Sequence, residues 1–220
     1  MKKIAFLFAA TAIFAACNNS SNADKAATSD TKTVDSLATT GTAYNIDSTT
    51  LVTWTGSKPT GSHTGTFKVT EGSLLANNNA LTGGSFIIDI NSLNNLDLAN
   101  DAKQKGGLEG HLKSADFFDV AKFPTAKFEI TSVEAYQADS SSKMKDATNL
   151  IKGNLTLKDS TKNIAFPAKV TITGNNITAV ADFDVDRTQW GMNYKGPNNP
   201  QDWVISKTVN IKLAVSANKK

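Results

Sequence analysis

The sequence contains little of the chemistry on which disulfides and metal sites depend. It has one cysteine, Cys17, and two histidines, His63 and His111, among 220 residues. A single thiol cannot form a disulfide within the chain. A structural zinc site needs about four ligands, and the spacing of the two histidines matches no paired-histidine motif. We therefore predict no metal site and no cofactor.

Motifs for nucleophilic catalysis are also missing. No Gly-x-Ser-x-Gly sequence places a serine on a strand-to-helix turn. Ser114 and Asp116 lie close to His111 in the sequence, but closeness along the chain does not give the geometry of a catalytic triad. The sequence therefore predicts a protein that is not an enzyme.

Positive charge is too sparse to indicate a nucleic-acid partner. The formal net charge is +3, and Arg187 is the only arginine. Proteins that bind nucleic acids usually cluster lysine and arginine on one face or along one helix. No such stripe is present in the sequence, so we expect no nucleic-acid binding.

The chain has no apolar run of the roughly 20 residues that a membrane-spanning helix needs. Its first apolar run covers residues 4–16, follows Lys2 and Lys3, and ends in small residues before Cys17. This order resembles the signal peptide and lipobox of a bacterial lipoprotein. We expect residues 1–16 to be removed and Cys17 to carry the lipid. The protein would then be exported to the cell envelope and anchored to a membrane, facing the periplasm or the cell surface.

Residues 17–43 are rich in Ser, Thr, Ala and Asn and have almost no large apolar side chains. A segment of this composition buries too little surface to offset the entropy lost on ordering. It is therefore interpreted as a flexible tether. The folded domain is expected to occupy residues 44–220, which is long enough for one core.

Apolar and polar residues alternate through most of residues 44–220. For example, Phe86, Ile88 and Ile90 share one face of an extended segment, and several later segments repeat the pattern. Period-two alternation is typical of half-buried strands. We count about eight strands, and the one stretch with helical character is residues 93–112. The pattern predicts an all-β domain, either a closed antiparallel barrel or a sandwich.

Four blocks of sequence, spread over a resemblance that extends from about residue 44 to residue 216, resemble the YceI family of exported lipid-binding proteins. They are WTGSKPTGSHTGTFKVTEGSL (54–74), HLKSADFFDVAKFPTAKFEITSV (111–133), IKGNLTLKDSTKNIAFPAKV (151–170) and FDVDRTQWGMNY (183–194). The first block contains a His-x-Gly-x-Phe element at His63, Gly65 and Phe67. The second block carries the most specific similarity.

The resemblance implies an extended, lipocalin-like antiparallel β-barrel of about eight strands, with a hydrophobic pore that holds a polyisoprenoid chain such as a quinone or a prenyl lipid. A prenyl chain offers little to hydrogen-bond, so its site needs an apolar wall more than polar groups. We expect a membrane-tethered binding protein for such a long-chain lipid, serving storage, transport or stress response. The alternatives are a solid barrel that acts as an interaction module without lipid cargo, and a lipid-modifying enzyme that uses His63 or His111.

The alternation and the resemblance together predict which side chains surround the pore. The predicted pore-lining residues are Trp54, Phe67, Phe86, Ile88, Ile90, Phe117, Phe118, Phe128, Ile130, Leu155, Leu157, Phe166, Phe183, Val185, Trp190, Ile211 and Leu213. The residues expected at the rim or near a lipid head group are His63, His111, Arg187 and Tyr194.

Two of these predictions carry further detail. Neighbouring residues of an extended segment point to opposite faces, so one of Phe117 and Phe118 is expected to rim the pore and the other to pack outside. Arg187 is expected either to pair with an acidic residue of the domain, which we favour, or to meet a ligand head group.

Overall fold

A computed structural model of the chain describes residues 22–196 and 204–219. This part contains eleven strands and one α-helix, with these bounds: β1 (Asp24–Lys25), β2 (Ala27–Asp30), β3 (Thr42–Ile46), β4 (Leu51–Lys58), β5 (Gly61–Asn77), β6 (Ala80–Asn95), α1 (Ala102–Lys113), β7 (Thr125–Ala135), β8 (Asn149–Leu157), β9 (Ser160–Thr173), β10 (Asn176–Asp186) and β11 (Thr208–Lys219). Two short 3₁₀ turns are formed by Ser36–Thr39 and Arg187–Trp190. No helix in these residues has the length and apolar character that crossing a bilayer requires.

The long strands form a closed antiparallel barrel with eight strand positions. β3 and β4 share one position, because both pair with β11 on one side and with β5 on the other. From there each strand pairs with the next through β9, and pairings of β9 with β10 and of β10 with β11 close the ring. The structure confirms the predicted all-β, lipocalin-like barrel and decides against the sandwich.

Cross-strand pairs explain why this register is stable. Phe86 lies opposite Phe128, and Phe128 lies opposite Leu155 on the next strand. On the other side of the barrel, Ile211 lies opposite Trp54. A slip of one residue would turn every one of these side chains to the solvent, so burial of one face fixes the pairing.

The two ends of the barrel differ. One end, which we call the mouth, carries α1, the β4–β5 and β8–β9 turns and the 3₁₀ turn after β10. The opposite, closed end is filled by packed side chains that include Leu74, Ile177 and Ala217, of which Ile177 and Ala217 are fully buried. The barrel is therefore solid at one end only.

The helix is shorter than predicted and lies later in the sequence. Residues 93–95 still belong to β6, and α1 begins at Ala102, where the side chain of Asp101 caps it by accepting from the Gln104 N–H. The helix buries none of its residues fully. It is held over the mouth by polar contacts, including one from the Asn95 N–H to Glu109 at 2.7 Å, so apolar periodicity could not locate its ends.

The predicted flexible tether is wrong for its described part. Residues 22–41, which we call the strap, form β1 and β2 along the edges of β10 and β9 in the barrel wall, followed by a 3₁₀ turn. Only Ala26 and Ala38 of the strap are buried; β1 and β2 are held by main-chain pairing to β10 and β9, with added hydrogen bonds to the side chains of Asp24 and Asn154. Composition reveals apolar side chains but not main-chain pairing, which is why the prediction failed. Cys17 and the predicted signal peptide lie outside the described residues.

Candidate functional site

A cavity of about 460 Å³ occupies the mouth half of the barrel. Its walls are mostly aliphatic and aromatic, and its polar lining residues, such as Lys58 and Lys195, all lie at the mouth. Small-molecule sites in proteins usually measure roughly 300–1,000 Å³ and are mainly apolar. The cavity therefore has the size and lining of a site for an apolar ligand that is bound with one polar end at the mouth.

The structure places every predicted lining residue except Ile130 around this cavity, together with all four predicted rim residues. Ile130 is 3 % exposed and belongs to the packed core instead. It shares a face with Phe128 but lies two residues nearer the closed end, where the barrel is filled. The alternation of apolar and polar residues along a strand indicates which face of the strand is buried. It does not indicate how far the cavity extends along the barrel.

Several lining residues were missed by the sequence reasoning. They include Val52, Ala126, Ile164, Val209, Leu108 and Met192. Val52 and Val209 lie two positions from the predicted Trp54 and Ile211 on the same strands, so stricter use of the alternation would have found them. Leu108 lies on α1 and Met192 lies beyond the strands, where no strand pattern applies.

Phenylalanine rings form a continuous row across one wall. Ring centroids lie 5.3 Å apart for Phe86 and Phe128, 5.8 Å for Phe128 and Phe166, and 4.0 Å for Phe166 and Phe183. Rings at these separations attract one another and bury large areas. The row presents a rigid apolar surface that offers a ligand no hydrogen-bonding group.

Phe117 and Phe118 both line the cavity, which corrects the expectation that one of them packs outside. The chain turns at this point: the Phe117 N–H donates to Ser114 O at 3.1 Å, and Asp119 has a φ of 48°. The alternation of an extended strand therefore does not hold here. Phe117 is buried, while Phe118 is half-buried and meets Phe67 edge to face at 5.4 Å between centroids.

The two histidines lie at the mouth with carboxylate partners. His63 Nδ1 is 2.7 Å from Asp97 Oδ2, and His111 Nε2 is 3.0 Å from Asp116 Oδ2. His111 also meets the Tyr194 ring edge to face at 4.8 Å. The described residues contain no group of three or more His, Cys, Asp or Glu side chains arranged to hold a metal ion.

Asp97 is the most strongly perturbed carboxylate at the mouth. Partial burial alone would raise its pKa, but hydrogen bonds from His63, the Thr64 N–H and Asn95 outweigh that effect and lower the pKa to about 2. The Thr64 N–H and Asn95 Nδ2 both donate to Asp97 Oδ1 at 2.7 Å. Asp97 thus ties β5 to the segment after β6 and fixes one side of the rim.

Arg187 is a structural residue at the rim. Its side chain is 4 % exposed and donates to the main-chain oxygens of Ser206, Met192, Tyr194 and Ile205. Burial lowers its pKa, while Asp186 opposes that shift. The structural role that we favoured is present, but the partners are carbonyl oxygens rather than an acid. Because these contacts occupy its nitrogens, Arg187 organises the chain on both sides of the 197–203 segment.

The two cavity tryptophans differ in their hydrogen bonding. Trp190 is 1 % exposed, and its indole N–H donates to Leu155 O at 2.9 Å. The indole N–H of Trp54 is buried and has no hydrogen-bond partner among the described residues. Trp54 packs against Gly65 on the neighbouring strand, where an added Cβ would lie 2.5 Å from the Trp54 ring.

Comparison with solved structures supports the fold. BcnA of Burkholderia cenocepacia superposes with a TM-score of 0.60 at 18 % identity, covering 79 % of this chain and 99 % of that one. A polyisoprenoid binding domain of Saccharophagus degradans, implicated in plant cell wall breakdown, superposes with a TM-score of 0.56 at 16 % identity, covering 81 % and 99 %. At such identities the likeness shows a shared fold alone.

Sequence comparison is more specific. A UPF0312 protein of Enterobacter sp. (strain 638) is 36 % identical over 107 residues, or 48 % of this chain and 47 % of that protein. Protein YceI of Salmonella arizonae is 35 % identical over 107 residues, 48 % of each chain. The matches thus span about half the length of these relatives. The family model for the YceI-like domain matches residues 44–217, and the chain therefore belongs to the YceI-like domain family.

Proposed function

We propose that this protein binds a polyisoprenoid or another long-chain lipid, such as a quinone or prenyl lipid, in its barrel. The single observation that carries the proposal is the apolar cavity of about 460 Å³, with polar lining residues only at its mouth. The hydrocarbon chain would lie along the row of phenylalanine rings, and a small polar head would lie near His63, His111 and Tyr194. The fold shared with a domain described as polyisoprenoid binding supports the same ligand class.

The protein would act by binding and not by catalysis, for lipid storage, transport or stress response. Both mouth histidines are engaged by carboxylates and lie at the polar end of a cavity whose remaining wall is mostly apolar, an arrangement that suits orientation of a head group. Lipidation of Cys17 would tether the barrel to a membrane of the cell envelope. The alternative, a solid barrel that acts only as an interaction module, is less well supported, because such a protein does not need an internal cavity.

The test is native mass spectrometry of the full-length protein, followed by organic extraction and identification of the lipid. Leu213 lines the cavity and is half-buried, whereas Ala214 is exposed on the same strand. We expect a stoichiometric long-chain lipid in the unmodified protein and in Ala214→Trp, and a clear loss of lipid in Leu213→Trp. A protein that is empty and takes up neither added quinone nor added prenyl alcohol would support the solid barrel instead.

A second measurement addresses catalysis. His63→Ala and His111→Ala are expected to leave the chemical identity of the bound lipid unchanged. Conversion of a bound lipid by the unmodified protein, lost in either variant, would establish an enzyme.

A further inference from the structure

The barrel has a seam between β9 and β10. These strands pair only over residues 169–173 and 176–180, at the closed end. Towards the mouth they part, and the strap lies between them: β1 pairs in parallel with 183–184 of β10, and β2 pairs antiparallel with 162–165 of β9. The strap therefore completes the barrel wall along half of this seam.

The cavity lies directly behind the strap. Phe166 of β9 and Phe183 of β10 line the cavity, and their rings stack with planes 11° apart. Within the seam, Ala26 of the strap is 4 % exposed and belongs to the packed core cluster, and its N–H donates to Asp184 O at 2.9 Å. One alanine and one pair of rings thus separate the lipid site from the outside.

The part of the strap that lies in the seam, residues 24–32, is fastened by polar contacts at both of its ends. The Asp24 carboxylate accepts from the Lys143 N–H at 2.9 Å and from the Met144 N–H at 2.9 Å. Farther along, Asn154 Oδ1 accepts from the Lys32 N–H at 3.1 Å and Asn154 Nδ2 donates to Lys32 O at 2.7 Å. No large apolar side chain of residues 24–32 enters the core. Segments with little buried apolar surface open locally at low free-energy cost and leave the remaining core intact.

The mouth is fastened far more firmly. Arg187 binds four main-chain oxygens there, and His111, Phe117 and Tyr194 form a cluster with ring centroids 4.8–5.5 Å apart. Buried guanidinium contacts and aromatic clusters resist opening more than exposed main-chain pairs do. The seam is thus the weaker part of the cavity wall.

We propose that the seam is a lateral portal, through which the hydrocarbon chain of the lipid enters and leaves when the strap is displaced. This proposal rests on the proposed lipid-binding function. Threading a long chain end-on through the mouth would expose it to water at a cost that grows with every methylene. Side entry from an adjoining bilayer avoids that exposure. Cys17 precedes Asn22 by five positions, which span at most about 18 Å, so a lipid on Cys17 would hold the seam side close to the membrane.

The experiment locks the strap with a disulfide in full-length protein that carries Cys17→Ser and hence no other thiol. Ala27 and Ala165 are Cα partners across the strap and β9, so Ala27→Cys with Ala165→Cys forms the lock. Thr171 of β9 and Thr178 of β10 are exposed partners where these two strands pair directly at the closed end, and they give the control lock. Uptake of menaquinone-4 from phosphatidylcholine vesicles is followed by quenching of Trp54 and Trp190, which line the cavity.

The oxidised strap lock is expected to slow uptake about tenfold or more, because the opening motion on which uptake depends is then blocked, without changing the final extent of quenching. Dithiothreitol should restore the rate, and the control lock should leave it unchanged. Asn154→Ala, which frees the strap, should accelerate uptake, whereas Thr156→Ala on the same outer face should not. An unchanged rate in the strap lock, or equal slowing in both locks, overturns the portal while lipid binding stands. Absence of quenching even in the reduced protein overturns the binding function and the portal with it.

Discussion

The ring of Phe128 lies directly over Gly153, so that a methyl group added at Gly153 would come within 2.3 Å of Phe128 Cζ. The two residues belong to neighbouring strands, β7 and β8, and Phe128 stands at the centre of the row of phenylalanine rings. The missing side chain at Gly153 therefore leaves the space that the Phe128 ring occupies in this row.

Gly153→Ala is expected to lower the free energy of unfolding by about 2 kcal/mol, the usual cost of overpacking a filled core. Urea denaturation followed by fluorescence measures the change. Gly56→Ala is the matched control, because a Cβ at Gly56 meets no atom within 4 Å. Equal losses in the two variants would show that Phe128 does not depend on the space at Gly153.

Arg187→Lys is expected to destabilise the protein by about 3 kcal/mol, because lysine leaves buried carbonyl oxygens without donors. The same denaturation experiment applies, and faster hydrogen exchange of the main chain after β10 should accompany the loss. Lys207 lies at the same rim and pairs with Asp186 at 3.1 Å, but it is half exposed. Lys207→Gln should change stability by less than about 1 kcal/mol, and a comparable loss there would contradict the special role of Arg187.

The pKa of Asp97 predicts a pH dependence. Because folding lowers this pKa from 3.8 to about 2, the ionised carboxylate stabilises the folded state above pH 4, and this contribution is lost as the pH falls towards 2. Asp97→Asn should therefore lower the urea midpoint at pH 7, with a difference from the unmodified protein that shrinks from pH 5 to pH 3. Asp159→Asn, in the exposed β8–β9 turn, provides the control. A difference independent of pH would exclude a contribution from the Asp97 charge.

The same substitution is expected to cost the two tryptophan positions different amounts of stability. Trp190→Phe removes the hydrogen bond to Leu155 O and leaves space in a fully buried position, so a loss of about 3 kcal/mol is expected. Trp54→Phe removes a buried donor that has no partner among the described residues, so the free energy of unfolding should fall by about 1 kcal/mol or less. Thermal and urea unfolding of the two variants measure the difference. A larger loss for Trp54→Phe would mean that its N–H is satisfied by a group outside the described residues.

The barrel could be predicted because side-chain alternation records which face of each strand is buried. The placement of Phe86, Leu155 and Ile211 around the cavity follows the same rule. Alternation does not indicate how far along the barrel a residue lies, and for this reason Ile130 was wrongly predicted to line the pore. Alternation is also lost where the chain turns, as at Phe117 and Phe118. The lipid-binding role of the lining residues stays a prediction.

The ordered structure of the strap could not be predicted from side-chain alternation or composition, for a different reason. Its main chain supplies the pairing to β9 and β10, and its small side chains supply almost no pattern. Asn154 illustrates the limit, since in the sequence it occupies an outward, solvent-facing position, yet the strap covers it and makes it a buried polar residue. Contacts made by the peptide backbone leave little trace in composition.

The strap also bears on solubility. A barrel that began at residue 44, where the family match begins, would have two neighbouring strand edges with free N–H and C=O groups beside an apolar interior. Unprotected edges of this kind recruit strands from other molecules and seed aggregation. The twenty residues of the strap, whose composition resembles that of a linker, therefore cover the strand edges of β9 and β10. Removing them would produce an aggregation-prone protein and not simply a shorter one.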